Sequence, residues 1–222
     1  MQTSIPIFQQ INNTRKVIST RKKTLKKSTH LSKLYEGLSG FGSYKEIYPD
    51  HKTTYGEVLP ESIPVLYEIF SKYAPLSKIS PSYRSFYDIG CGVGKVVIGM
   101  ATHHSFLKST GIEIVPERVI CANTALQRIK DESLRKRIEI VCISMLDDSV
   151  NYSNACWIFI SNLCFDKQIN EKIFEKLANE IKSGCIIICS KSHSNIQFKQ
   201  INYISLPMSW SNSSKVYVYT KI

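Results

Sequence analysis

The chain has 222 residues, a formal net charge of +11 and a hydrophobic share of 43%, which is enough for a buried core and too much for wholesale disorder. No apolar run approaches the ~18 residues a membrane-spanning helix needs, and the start, Met1-Gln2-Thr3-Ser4-Ile5-Pro6, lacks the charged-then-apolar layout of a secretory signal. The seven cysteines are odd in number, form no C-x-x-C pair and in several cases sit inside apolar runs, so an intracellular protein without a disulfide frame is expected. The pair His103-His104 has no cysteine or carboxylate at a zinc-like spacing, and no metal is expected.

The elements follow in chain order. Residues 1–30 carry Arg15, Lys16, Arg21, Lys22, Lys23, Lys26 and Lys27 and no acid, leaving 22 bases against 18 acids in the rest. This segment reads as a mobile basic arm suited to phosphate-rich partners, or else as a solvated tail or import signal. From Leu31 to Thr53 the chain is rich in Gly, Ser and Tyr and reads as loop. A helix is predicted over Glu61–Tyr73, with Pro64 in its first turn and Val65, Leu66, Ile69 and Phe70 on one apolar face. Residues 31–84 thus form a leading region ahead of the main domain at 85–222.

Strict alternation follows. Strands are predicted at Phe86–Ile89, Ser109–Glu113, Ile138–Ile143, Cys156–Ile160 and Cys185–Cys189, and helices at Lys95–His103, Pro116–Lys130 and Asp166–Ile181. The last helix carries Ile169, Ile173, Phe174, Leu177 and Ile181 on one face and closes at Gly184. Two final strands, Tyr203–Leu206 and Val216–Thr220, form a hairpin. The fold class is α/β and Rossmann-like: a mainly parallel sheet, helices on both faces and an antiparallel C-terminal edge.

The stretch Asp88-Ile89-Gly90-Cys91-Gly92-Val93-Gly94-Lys95 holds the most specific signal. A short strand, then alternating glycines, then a helix opens a nucleotide-type pocket, because the backbone turns sharply and a ligand can lie against it. Glycines at 90, 92 and 94 read G-x-G-x-G, neither the G-x-G-x-x-G of dinucleotide folds nor a P-loop. Glu113 ends the next strand about twenty residues on, where a carboxylate can accept from a ribose diol.

The pattern resembles motif I of class I S-adenosylmethionine-dependent methyltransferases. With Thr54-Tyr55-Gly56-Glu57, Ser161-Asn162-Leu163-Cys164-Phe165, and Ser209-Trp210 leading to Tyr217, residues 50–222 resemble the disruptor-of-telomeric-silencing family, the non-SET histone H3 lysine methyltransferases. The resemblance implies S-adenosylmethionine as cofactor and S-adenosylhomocysteine as product. It implies that Tyr55 and Glu57 cover the cofactor's methionine end, that Asp88, Gly90 and Lys95 line it beside Gly92 and Gly94, and that Glu113 binds the ribose. Ser144 and Met145 stand where the family has an Asp-Phe pair at the adenine. Ser161, Asn162 and Phe165 stand where it has Asn-Asn-Phe-x-Phe beside the transferred methyl, and with Ser161 in the first position the polar role either falls to Asn162 or is weakened. Trp210 and Tyr217 would wall the channel for the target lysine. The implied partners are histone H3 within the nucleosome and nucleosomal DNA held by the arm, with a monomeric enzyme in the nucleus.

The alternatives are a methyltransferase of RNA or DNA, one acting on a non-histone lysine, and a chromatin-binding module with a degenerate pocket. Amino-methylating nucleic-acid enzymes carry an Asn/Asp-Pro-Pro-aromatic segment after the fourth strand, where a flipped base stacks. The segment here has no proline. Singly, Phe165 and Trp210 read as core residues and Asn162 as a cap for the helix near Asp166.

Overall fold

A computed structural model describes residues 30–42, 55–102 and 108–222. The basic arm up to Lys27, Thr54 and the pair His103-His104 lie outside these residues. Seven strands form one sheet in the order β3-β2-β1-β4-β5-β7-β6. They are β1 (Ser85–Ile89), β2 (Lys108–Glu113), β3 (Ile138–Cys142), β4 (Ala155–Ile160), β5 (Ile186–Cys189), β6 (Phe198–Met208) and β7 (Ser211–Lys221). Neighbours from β3 through β5 pair in parallel, and β7 runs antiparallel to both β5 and β6. The hairpin therefore contributes one antiparallel strand inside the sheet, while β6 forms the edge.

The central strands are covered on both faces, so they are continuously apolar rather than alternating. Every residue of β1, β4 and β5 is buried. One face is covered by α1 (residues 30–34), α2 (Ile63–Tyr73), α3 (Lys95–Ala101) and α4 (Pro116–Gln127). Phe70 stacks on Trp157 at 5.1 Å between ring centres, and the indole N–H donates to Ala74 O at 2.9 Å. The polar edge of that large side chain is thereby satisfied inside the core. The opposite face is covered by α6 (Lys167–Glu180), through Ile173, Phe174 and Leu177. A short α5 (Glu132–Arg135), capped by Asp131, lies between α4 and β3.

Several boundaries differ from expectation. The segment read as loop from Leu31 begins as helix, because Leu31, Leu34 and Tyr35 repeat at helical spacing and are buried against the core. Val65 points outward; Ile63, Leu66 and Phe70 carry the buried face of α2. The hairpin strands are eleven residues each, longer than predicted, since serines 211, 213 and 214 give no apolar signal on an exposed face. Among the described residues no helix is long and apolar enough to cross a membrane.

The register decides where a site can form. Ile89 pairs with Ile112 on one side and Ile160 on the other. Gly90, Glu113 and Ser161 therefore emerge at one sheet edge. Strand order reverses between β1 and β4, and the crevice outside such a reversal is where open α/β sheets bind ligands.

Candidate active site

The turn after β1 shapes the floor. Gly90 and Cys91 donate their N–H groups to Ile112 O at 2.9 and 3.0 Å. Gly90 has φ of 75° and Gly92 of 55°, left-handed values that side chains disfavour. A Cβ on Gly92 would stand 2.4 Å from Cε2 of Tyr55, and one on Gly90 3.3 Å from Cζ of Phe165. Two aromatic rings thus lie directly on bare backbone.

Two carboxylates flank this floor. Glu113 Oε2 accepts from Gly92 N at 2.8 Å, and Oε1 accepts from Ile114 N at 2.9 Å and Val115 N at 3.0 Å. The buried Arg118 guanidinium lies 3.8 Å from Oε1. Asp88 is only 2% exposed, and its Oδ1 has no hydrogen-bond partner among the described residues. Burial, and next the charge of Glu113, push the Asp88 carboxyl well above its ordinary range.

Residues 55–58 form a strap over the floor. The Tyr55 hydroxyl donates to Glu57 Oε1 at 2.8 Å, and Lys95 Nζ donates to Glu57 Oε2 at 2.6 Å. Arg118 lies 4.5 Å from the Tyr55 ring centre, a cation over a π face. Backbone and side-chain bonds between Glu57 and Ser209, with a Val58–Met208 bridge, tie the strap to the end of β6.

The strap leaves a cleft with two compartments. The larger, about 910 Å³ with its open mouth, is lined by residues including Glu113, Arg118, Ser144, Met145, Ser161 and Phe165. The smaller, about 310 Å³, is lined by Glu57, Asp88, Gly92 and Lys95 among others. Tyr55, Gly56, Gly90 and Ser161 border both. Gly94 lies behind the wall as the residue preceding α3.

Besides Gly94, three expected residues sit elsewhere. Asn162 is fully buried and lines neither compartment. Its Oδ1 accepts from Lys191 N at 2.9 Å and its Nδ2 donates to Asn170 Oδ1 at 2.6 Å, so its amide is engaged away from the cleft. Asp166, not Asn162, caps α6, accepting from Ile169 N at 2.8 Å. Trp210 packs on Gly56, where a Cβ would stand 2.3 Å from Cε3, so it backs the strap rather than the cleft. Tyr217 lies on β7 opposite Cys189 and Tyr203, two strands from the crevice. The arm residues Arg15, Lys16, Arg21, Lys22, Lys23, Lys26 and Lys27 lie outside the described residues.

Sequence reasoning missed Arg118 and Tyr35, whose hydroxyl donates to Val93 O at 2.7 Å and braces the glycine turn. A cation in the first turn of α4 opposes the helix dipole, but Glu117 stands beside it in the same turn, so Arg118 left no clear signal.

Comparison with known proteins agrees with this geometry. The family model described as histone methylation protein DOT1 matches residues 42–220. A protein-lysine N-methyltransferase of Saccharolobus islandicus (strain REY15A) is 25% identical over 126 residues, spanning 57% of this chain and 73% of that protein. PH1948 from Pyrococcus horikoshii, provisionally assigned as an RNA methyltransferase, superposes with a TM-score of 0.57 at 13% identity over 90% of this chain and 99% of its own. The glycopeptide N-methyltransferase MtfA, complexed with S-adenosyl-L-methionine, gives 0.54 at 9% identity over 72% and 86%. The residues present fit that cofactor: a buried carboxylate at Asp88 whose Oδ1 has no partner among the described residues, a glycine floor, and the carboxylate of Glu113 at the wider end. The fold is that of the Rossmann-like class I methyltransferases, the cofactor is S-adenosylmethionine, and the chain belongs to the family of histone methylation protein DOT1.

Proposed function

We propose that this chain is a histone lysine N-methyltransferase that modifies a lysine on the globular core of histone H3 in nucleosomes, acting as a monomer in the nucleus with its arm on nucleosomal DNA. The observation that carries this reading is the wall facing the glycine turn. Ser161 and Phe165, from a segment without proline, border the cleft against Gly90. Ile169 lines the same compartment, while Ile112, Ile143, Met145 and Leu146 belong with Glu113 and Ser144 to the part the cofactor would fill. The family match and the lysine-modifying relative support the same reading.

When bound, the cofactor supplies an electrophilic methyl group on a sulfonium that leaves as a neutral thioether. The protein's task is alignment and desolvation more than strong base catalysis. The amine must arrive neutral, which from an ordinary lysine pKa near 10.4 costs roughly 4.6 kcal/mol at pH 7. An apolar wall disfavours the ammonium and offsets part of that cost. Phe165 excludes water, and the Ser161 hydroxyl offers a polar contact that can orient the nitrogen. Asp166 also borders the cleft, but its carboxylate is held as the cap of α6. Asp88 and Lys95 would hold the charges of the cofactor's amino-acid end, with Glu57 keeping Lys95 in place.

The seven positive charges of residues 1–30 give the arm its role, since each phosphate contact releases a counterion. Removing them should make the slope of log binding constant against log salt shallower by up to about 6. Equal slopes with and without the arm would remove that role. The substrate itself is tested by offering labelled S-adenosylmethionine with intact nucleosomes, free histones and RNA in parallel. Label on a histone H3 core lysine is expected; label confined to RNA would move the chain to the nucleic-acid alternative.

A further inference from the structure

The grip on Asn162 continues into the protein as a hydrogen-bond chain whose direction is forced from one end. The main-chain N–H of Lys191 can only donate, so it meets Asn162 at Oδ1, 2.9 Å away. Asn162 therefore presents Nδ2 to Oδ1 of Asn170, at 2.6 Å. That leaves Asn170 Nδ2 facing Nδ1 of His193 at 3.5 Å. An amide N–H there needs an acceptor, so Nδ1 carries a lone pair and the imidazole proton sits on Nε2, which is buried and has no hydrogen-bond partner among the described residues. His193 is held in place independently. Its ring stacks on Phe174 at 3.8 Å with planes 13° apart, and its main-chain N–H donates to the Tyr219 hydroxyl at 2.9 Å. Burial lowers the imidazole pKa, which favours the neutral ring this chain requires.

The other end reaches the cleft wall. Asn162 O accepts from Phe165 N at 3.1 Å, closing the turn that brings Ser161 and Phe165 to the cleft. Lys191 Nζ donates to Phe165 O at 2.9 Å. The loops after β4 and β5 are thus tied twice: side chain of Asn162 to backbone of Lys191, and side chain of Lys191 to backbone of Phe165. Neither Asn170 nor His193 lines the cleft.

We propose that Asn170 and His193 are positioning residues for methyl transfer, orienting Asn162 and through it fixing Ser161 and Phe165 at the cleft wall. This inference rests on the cleft being the methyl-transfer site. Breaking the chain lets that turn drift, and an ångström of misplacement costs roughly a hundredfold in rate. The cofactor's other contacts, at Asp88 and Glu113, stay in place.

The full chain is compared with four variants by hydrogen exchange of residues 161–165, calorimetric S-adenosylmethionine binding, and methyl transfer to nucleosomes. Asn170→Leu and His193→Phe keep bulk and, in the second case, the ring stack, but remove the hydrogen bonds. They should lose protection in 161–165 and roughly ten- to a hundredfold in kcat, with cofactor Kd within about twofold. Asn170→Asp still accepts from Asn162, and His193→Gln still offers Asn170 an acceptor; both should keep the protection and most of kcat. A role in stability alone would lower the melting temperature without this split between disrupting and conservative variants. If the disrupting pair does not fold, nitrogen-15 spectra decide. Wild type should show the Nε2–H tautomer of His193, and Asn170→Asp should move a proton to Nδ1. Unchanged protection and kcat in Asn170→Leu, or an Nδ1–H tautomer in wild type, would overturn the inference. Absence of methyl transfer by wild type to any substrate would instead overturn the functional reading, while the exchange comparison would still decide this one.

Discussion

Asp88 and Glu113 lie near the carboxyl ends of neighbouring parallel strands, Asp88 two residues further back in register, and both border the cleft, yet they are held in opposite ways. Glu113 accepts from three main-chain N–H groups and lies beside a buried arginine. Asp88 Oδ1 has no hydrogen-bond partner among the described residues in an equally buried setting, and burial drives the carboxyl's pKa upward. A satisfied carboxylate is a structural fixture whose position is set before any ligand arrives. An unsatisfied one costs stability until something positive reaches it. The cleft thus joins a preformed end to a primed one, and the amino group of an amino-acid-bearing cofactor is a fitting partner for the primed end.

The contrast can be broken most forcefully at the fixture. Glu113→Ala would strand the N–H groups of Gly92, Ile114 and Val115 and remove the carboxylate 3.8 Å from the buried Arg118 guanidinium. Removing one partner of a buried pair costs about 3–5 kcal/mol, so denaturant unfolding should shift by that order and calorimetric cofactor binding should vanish. A variant with near-native stability would mean that Glu113 is not the fixture described. Next in size, Gly92→Val would put a branched side chain at φ of 55° and into the Tyr55 ring. The strap should lift, seen as faster hydrogen exchange at residues 55–58, with cofactor affinity down by tenfold or more. Unaltered exchange there would separate Tyr55 from the glycine floor.

The primed end predicts the opposite sign. Asp88→Asn should stabilise the cofactor-free protein, by a few degrees in Tm if the relief is about 1 kcal/mol, while weakening cofactor binding. The pH dependence follows from linkage. The folded pKa of Asp88 lies above the unfolded value near 3.9, so the unfolded chain ionises first. Asp88 therefore lowers stability progressively as pH rises from about 4 toward the raised folded pKa. Asp88→Asn should remove that downward slope from a stability–pH curve; a curve superimposable on wild type would show that Asp88 is not held protonated. The smallest effect is expected from Lys95→Met. It deprives Glu57 of one partner in a partly exposed pair, a change worth at most about 1 kcal/mol, and cofactor affinity should fall only severalfold.

The order of strands and helices was readable because buried parallel strands leave continuous apolar runs and amphipathic helices leave a period. The glycine turn and Glu113 were readable because their spacing is dictated by the ligand-binding geometry itself. What stayed hidden depended on contacts far apart in sequence. Asn162 looked like a polar group for the site, but Lys191 and Asn170 claim both ends of its amide. Trp210 belonged to the backing of Gly56 because β6 happens to end beside the strap. The short helix holding Leu31 and Leu34, with Tyr35 just past its end, was concealed in a glycine-rich stretch, too brief for its period to stand out.

The central claim is that the Asp88 end of the cleft receives the positive charge of S-adenosylmethionine. It is tested most directly by calorimetric titration at mildly acidic pH in buffers of different ionisation enthalpy, which counts the protons exchanged on binding. Saturable binding with net proton release is predicted for wild type, with weaker binding and no release for Asp88→Asn. No saturable binding by wild type, or the same affinity and proton count in both proteins, would contradict it.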